Sequence, residues 1–367
     1  MVKDGIARLR QAYLEIAASG RRGLTRVVSR RMDPRFTLAL LLAALAGPAQ
    51  AQDCAPAKLL ATVPMQDAEP DSNIRTVSVS LNGIAREMIL DTGGAVTQLS
   101  RATIDELNLP HYGSSAAVYD INGRVSRRFA LVKDLAFGDL HRNDAALMLW
   151  PDPIRPYAGE LAQDLLQSYD VDVDFAAGQL KMYAKGGPKN GYCPGPTGWS
   201  ASARAEMRNK GWHLHIPVTL DGRAYDGIFD TGSRHTIMRL PVAKRDFGLY
   251  PDSPGMTLYP AINGDPFLNG HLHTFGKLSF GGLTFDAPEV LIIPDVMNRN
   301  ADRSKIADNP THHHNENLIL PELSLGKDVL KHLHLFMSFG EQALYVAPAA
   351  VSDAVSGAPA HISTVKP

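Results

Sequence analysis

Apolar and polar residues alternate along Thr76-Val77-Ser78-Val79-Ser80-Leu81, the period-two pattern of a strand buried on one face. Asn82-Gly83 follows, and because both residues tolerate positive φ the pair predicts a tight hairpin turn. The chain then runs apolar through Met88-Ile89-Leu90 into Asp91-Thr92-Gly93. This series is written twice. VSLNGIAREMILDTG at 79–93 recurs as VTLDGRAYDGIFDTG at 218–232, at an offset of 139 and without a gap. Ile121-Asn122-Gly123 returns as Ile262-Asn263-Gly264, Leu135-Ala136-Phe137-Gly138 as Leu278-Ser279-Phe280-Gly281, and Pro151-Asp152 as Pro294-Asp295.

The ends of the two copies match at an offset of 164. There Leu161-Ala162-Gln163-Asp164-Leu165-Leu166 parallels Leu325-Gly326-Lys327-Asp328-Val329-Leu330, and Phe175 and Leu180 parallel Phe339 and Leu344. The offset grows because the second copy carries an insert near 297–322, which holds His312-His313-His314 and reads as a surface loop. A long internal repeat marks two homologous units, here two mostly β lobes at 59–185 and 210–347. Short helices are expected at 101–109, 164–168, 241–247 and 327–331. Residues 186–209, rich in Gly, Pro and Ser, read as a linker, and the Ala- and Pro-rich tail 348–367 reads as disordered.

With 44% apolar and 20% charged residues, the chain of 367 residues can bury substantial cores. The net charge of -1 hides an asymmetry, because residues 1–51 carry nine basic and three acidic side chains while the rest is mildly acidic. An acidic body lacks the basic face that phosphate binding needs, which argues against nucleic acid as a partner. Residues 36–46, FTLALLLAALA, follow Arg30, Arg31 and Arg35 and end in Gly47-Pro48-Ala49-Gln50-Ala51. That is the layout of a signal peptide cleaved after Ala51, with an uncleaved anchor as the alternative. The Arg-rich stretch before Met32 is long for such a leader, so Met32 is a candidate true start. No other apolar run approaches the roughly 18 residues of a membrane span, so a multi-span protein is excluded. Export to the periplasm or beyond makes Cys54 and Cys193, the two cysteines, a disulfide candidate; two free thiols are the alternative.

An apolar strand running into Asp-Thr-Gly resembles the aspartic protease family at the residues that carry its chemistry. One such triplet arises by composition alone, but two at matching positions of a repeated β unit have no such origin. The whole repeat looks like the retropepsin-like lobe of bacterial exported aspartyl proteases, over about 280 residues. The resemblance implies an all-β fold of two β-barrel lobes, an intramolecular pseudo-dimer with a central cleft. It also implies a polypeptide substrate, no cofactor, no metal and a monomer. Asp91 and Asp230 would be the catalytic pair. Two carboxylates about 3 Å apart do not both ionise, so the pair shares a proton, one member taking the proton of water and the other polarising the carbonyl.

The neighbours follow from the same resemblance. Gly93 and Gly232 let the backbone turn tightly, while Thr92 and Thr231 would cross-bond the two loops. Ser233 offers a hydroxyl to Asp230 where its counterpart Gly94 offers none, so Asp230 is expected to be the ionised partner and Asp91 the protonated one. The family's apolar-apolar-Gly segment is kept as Ser324-Leu325-Gly326 but departs to Glu160-Leu161-Ala162 in the first lobe, which questions the packing there. Flap hairpins are placed around Tyr119 and Tyr259, with a plain hairpin and an exposed Tyr as the alternative.

Thirteen histidines invite a metal hypothesis. Adjacent His312–His314 rarely converge on one ion, His332 and His334 fall on the expected solvent face of a strand, and His213 and His215 merely alternate along another. His235 is expected in the core or the cleft wall. Neither a His-Glu-x-x-His nor a Gly-x-Ser-x-Gly pattern is present. The expected function is aspartic-type endopeptidase, with a peptide-binding pseudo-protease as the alternative and a dimer of chains as a third arrangement.

Overall fold

The computed structural model describes residues 54–68, 74–119, 124–150, 156–199, 203–210, 213–262, 267–295, 321–349 and 362–364. The leader 1–51, both hairpin tips and most of the 297–322 insert lie outside them. The first lobe contains β1 (Leu59–Asp67), β2 (Arg75–Leu81), β3 (Ile84–Leu90), β4 (Gln98–Leu99), β5 (His111–Tyr119), β6 (Val125–Phe137), β7 (Leu140–Leu149), β8 (Gly159–Leu161), β9 (Asp170–Asp174) and β10 (Gln179–Tyr183). Two strands follow in the segment read as a linker, β11 (Ala203–Glu206) and β12 (Arg208–Lys210). The second lobe contains β13 (His213–Leu220), β14 (Arg223–Phe229), β15 (Thr236–Arg239), β16 (Thr257–Tyr259), β17 (Gly270–Thr274), β18 (Lys277–Phe280), β19 (Leu283–Asp286) and β20 (Glu289–Ile293). It ends with β21 (Leu323–Leu325), β22 (Leu333–Ser338), β23 (Ala343–Pro348) and β24 (Ile362–Thr364).

In the first lobe the order β2-β3-β8-β4-β7-β6 closes on itself through pairing of β6 with β2, making a six-stranded barrel. Valines and leucines at alternate positions of β2 fill it: Val77, Val79 and Leu81 are buried, while Ser78 and Ser80 are half-buried. The turn residues behave as their types require. Asn82 and Gly83 have φ of 55° and 87°, and Asp221 and Gly222 have 46° and 79°. Their side chains then brace a distant strand. Asn82 Oδ1 accepts the N–H groups of Lys133 and Asp134, and the Asp221 carboxylate accepts those of Gly276 and Lys277. In the first lobe β6 runs through this point unbroken; in the second it is split there into β17 and β18.

Between the lobes lies an antiparallel sheet ordered β11-β23-β22-β9-β10-β1, drawing strands from both copies. At its centre β9 pairs with its own counterpart β22, and Asp172 lies opposite Phe336. Those two residues are equivalent at the offset of 164, so the pair marks the local two-fold relation of the copies. Cys54 and Cys193 are bonded beside this sheet, with Cα atoms 4.9 Å apart.

Three expectations change. The stretch 186–209 is more than a linker, because β11 completes an edge of the interlobe sheet by pairing with β23. The tail is not wholly disordered, since Ile362-Ser363-Thr364, with two β-branched residues, pairs with Leu283–Phe285. And His334 is not on a solvent face: its Nε2 lies 2.5 Å from Asp172 Oδ1, and the Trp199 ring packs against it in a tilted contact, 4.1 Å between centroids.

Candidate active site

In each lobe an Asp-Thr-Gly loop joins two strands that are not neighbours. It leaves β3 and enters β4, and β8 lies between them, parallel to the first and antiparallel to the second. In the second lobe β14, β15 and β21 repeat the arrangement. The loop therefore arches over the end of the inserted strand, pinned there by Asp91 N–H to Leu161 O at 3.0 Å and Asp230 N–H to Leu325 O at 2.9 Å. Leu161 and Leu325 are fully buried, so the loops stand on the two barrel cores.

The threonines bind the loops to each other. Thr92 Oγ1 donates to Phe229 O at 3.0 Å, and Thr231 Oγ1 donates to Leu90 O at 2.6 Å. Each hydroxyl oxygen also accepts the other threonine's backbone N–H, at 3.0 and 3.2 Å. Both side chains are buried, at 1% and 0% exposure, so all four bonds form away from competing water. A methyl-for-hydroxyl exchange at either threonine would take the hydroxyl partner from one buried carbonyl and one buried N–H.

These bonds bring the carboxyl groups of Asp91 and Asp230 into mutual hydrogen-bonding contact. Gly93 N–H donates to Asp91 Oδ1 at 2.8 Å and Gly232 N–H to Asp230 Oδ1 at 3.1 Å. Both glycines are required by space rather than by φ. A Cβ on Gly232 would come within 2.7 Å of Asp91 Oδ1, and one on Gly93 would overlap the Asp230 carboxyl. Desolvation first, then the adjacent Asp91 carboxylate, push the Asp230 carboxyl well above the usual range, against the lowering effect of the Ser233 and Gly232 N–H groups. The pair keeps one proton where isolated carboxyls have lost theirs.

Ser233 does not act as expected. Its Oγ donates to His235 O at 2.8 Å, and its influence on Asp230 comes through its backbone N–H. The reason for expecting an ionised Asp230 therefore falls away, because the Ser233 hydroxyl is engaged by the His235 carbonyl. Ser233→Ala is expected to leave the carboxyl titration of the pair unchanged, which carbon NMR of the aspartates would check. A displaced titration would restore the hydroxyl's role.

The departure at Ala162 also resolves. Its methyl group, fully buried, faces Gly94, where an added Cβ would come 3.1 Å from it. In the second lobe the small residue sits on the other side: Ser233 replaces Gly94, and Gly326 replaces Ala162. A Cβ on Gly326 would overlap the His235 carbonyl. Gly326→Ala is thus expected to cost about 1–3 kcal/mol of stability, read by denaturant unfolding, whereas Ala162→Gly forces no such overlap.

Four supporting residues lie outside the Asp-Thr-Gly motifs. Thr97 donates to Asp164 Oδ1 through both N–H and Oγ1, and Thr236 does the same to the Asp328 carboxylate. Burial raises both carboxyls above their ordinary range. Thr97 and Thr236 are equivalent at offset 139, and Asp164 and Asp328 at 164, so the repeat carried the signal. The remaining pair is asymmetric. Gln163 Nε2 donates to Thr92 O at 2.9 Å, but its counterpart Lys327 is buried with its Nζ 3.6 Å over the Phe175 ring.

The flap candidates end up as hairpins, β5–β6 and β16–β17. Tyr119 closes β5, half-buried, and Tyr259 packs edge-on against His235 with ring centroids 5.0 Å apart. That contact ties the second hairpin to the loop of its own Asp230. His312–His314 lie outside the described residues.

The crystal structure of an aspartic proteinase from Irpex lacteus is similar at 12% identity and a TM-score of 0.45, over 81% of this chain and 99% of that one. No curated protein matches the sequence. A family model described as aspartyl protease matches residues 77–166 and 216–328, more than half of the chain and one segment for each Asp-Thr-Gly loop, and the chain belongs to that family.

Proposed function

We propose that the chain is an aspartic endopeptidase in which Asp91 and Asp230 hydrolyse peptide bonds of a polypeptide held in the cleft. The observation that carries the reading is the pair of touching carboxyls, held by four cross-lobe threonine bonds and sharing a proton. The ionised member takes a proton from water as the oxygen attacks the scissile carbonyl carbon. The protonated member donates to the carbonyl oxygen. The tetrahedral intermediate then collapses, its C–N bond breaks, and the departing nitrogen is protonated from the pair. No covalent intermediate forms. The catalytic groups are needed from both lobes, and one chain supplies both, so a monomer suffices.

Export fits the same picture. The leader-like segment 1–51 and the bonded Cys54–Cys193 pair suit an oxidising compartment such as the periplasm. Binding of a non-cleavable peptide with a secondary hydroxyl in place of the scissile carbonyl tests the site. Calorimetry should show tight binding with uptake or release of a proton by the pair, weakened at least tenfold in Asp230→Asn. Equal binding by the variant would contradict the reading. Tight peptide binding without any cleavage of ordinary peptides would instead favour a pseudo-protease.

A further inference from the structure

The three strands beside Asp91 have two faces, and one of them has no part in the scheme above. β8 lies between β3 and β4, with Glu160 opposite Ile89 on one side and Gln98 on the other. Met88, Leu90, Leu99 and Leu161 belong to the barrel core. Side chains alternate along a strand, so Glu87, Ile89, Gln98 and Glu160 share the other face. This face adjoins the reaction centre. Ile89 stands two residues before Asp91, and Glu160 precedes Leu161, whose carbonyl holds the Asp91 N–H. It also adjoins the first hairpin: Met148 of β7 lies opposite Gln98 on one side and opposite Phe129 of β6 on the other.

Acceptors dominate the face. Gln98 is 9% exposed, and its Oε1 is buried with no hydrogen-bond partner among the described residues. Glu87 Oε2 is likewise buried without a partner among them. Glu160, half-buried, adds a second carboxyl group. A buried acceptor left unpaired is costly, so these oxygens call for a donor. The second lobe builds the corresponding wall differently. At the repeat offsets Gln98 becomes Ile237 and Glu160 becomes Ser324, again opposite each other. Ile237 packs on the apolar cluster of Ile262, Leu268, Leu291 and Ile293. Glu87 becomes Asp226, whose Oδ2 has His215 Nδ1 at 3.4 Å; at the position of His215 the first lobe has Thr76.

We propose that this wall is a specificity site for lysine or arginine: Gln98, Glu87 and Glu160 receive the basic side chain of a substrate residue flanking the cut bond. This rests on the proteolytic reading of the site. The chemistry of the oxygens selects the class. Carboxylate and amide oxygens only accept, whereas an ammonium carries three donors and a guanidinium five, and neither accepts. The apolar stem of such a side chain has Ile89 and Met148 to lie along, on the same face. An apolar substrate side chain would cover the same oxygens without pairing them, and is disfavoured for that reason.

The test compares kcat/KM of the full chain on peptides that carry lysine, arginine or norleucine at the residues flanking the cut bond and are otherwise identical. The wild type should favour a basic residue over norleucine, which matches the lysine stem, by about a hundredfold. Gln98→Ile with Glu160→Ser copies the second lobe and should bring that ratio to about one while the norleucine peptide is still cut. Glu160→Gln, which removes only the charge, should lower the ratio about tenfold, and serves alone if the double variant does not fold. A wild type without the preference, or folded variants that keep it in full, would overturn the proposal. If the folded wild type cuts none of the peptides, the proteolytic reading falls. Calorimetry with the uncleavable hydroxyl-containing peptide in lysine and norleucine forms then decides the matter: tighter binding of the lysine form supports this wall as a basic-residue site, and equal binding overturns it.

Discussion

Replacing Asp230 with Asn is expected to lower peptide cleavage by about ten-thousand-fold while making the protein more stable. The amide keeps the shape of the carboxyl and can still accept the Gly232 N–H bond, so the loop stays in place. What it loses is the exchangeable proton that the pair shares. The stability gain follows from the raised Asp230 titration. A buried carboxyl with its folded pKa above the unfolded value stabilises the fold only while protonated, and that contribution is lost as pH rises through the folded value. Above the folded value the native state therefore holds a charge it disfavours, and Asn removes it. Melting curves from acid to neutral pH should show the variant's advantage growing with pH. A variant that is inactive because it is unfolded would contradict this.

The second large effect lies beneath the same loop, where Lys327 N–H donates to Ser233 O. Burial first, then Arg75, lowers the Lys327 pKa from 10.5 to about 6. The unfolded lysine binds its proton up to about 10.5, so between pH 6 and 10.5 the unfolded state holds more protons and stability rises with pH. The penalty is complete below about pH 6, and a shift of this size corresponds to about 6 kcal/mol, as an upper figure. Lys327→Gln copies Gln163, which in the first lobe bonds the Thr92 carbonyl. The variant should melt well above the wild type at pH 6, with the difference shrinking as pH approaches 10. A difference independent of pH would show that Lys327 is not buried as a suppressed cation. The same argument predicts that the Lys327 contribution to wild-type stability falls on acidification from pH 10.5 to about 6 and is level below that.

Much of this was legible in the sequence because the repeat turned short motifs into matched pairs. Asn82-Gly83 and Asp221-Gly222 announced their turns through residues that tolerate positive φ, and the two Asp-Thr-Gly loops sit at the same depth of the same strand pattern. Departures between the copies were harder. Ala162 looked like a defect because its compensation, Gly94, lies 68 positions away and acts only through space. Ser233 was misread for a related reason: a hydroxyl next to an aspartate has several acceptors within reach, and the nearer geometry belonged to His235 O. Barrel closure by β2 and β6, and the use of β11 from a Gly- and Pro-rich stretch, are long-range pairings that local periodicity does not encode. Lys327 was bland as a letter and gains meaning only from the Phe175 ring beneath its Nζ.

The central claim is that Asp91 and Asp230 together cut peptide bonds. Its most direct test is digestion of a denatured protein mixture by residues 52–367 from about pH 3 to 7, beside the Asp230→Asn variant. The account predicts new peptides from the wild type alone, with cleavage falling once the pair loses its shared proton. Equal cleavage by both proteins, or none by a wild type shown to be folded, would contradict it.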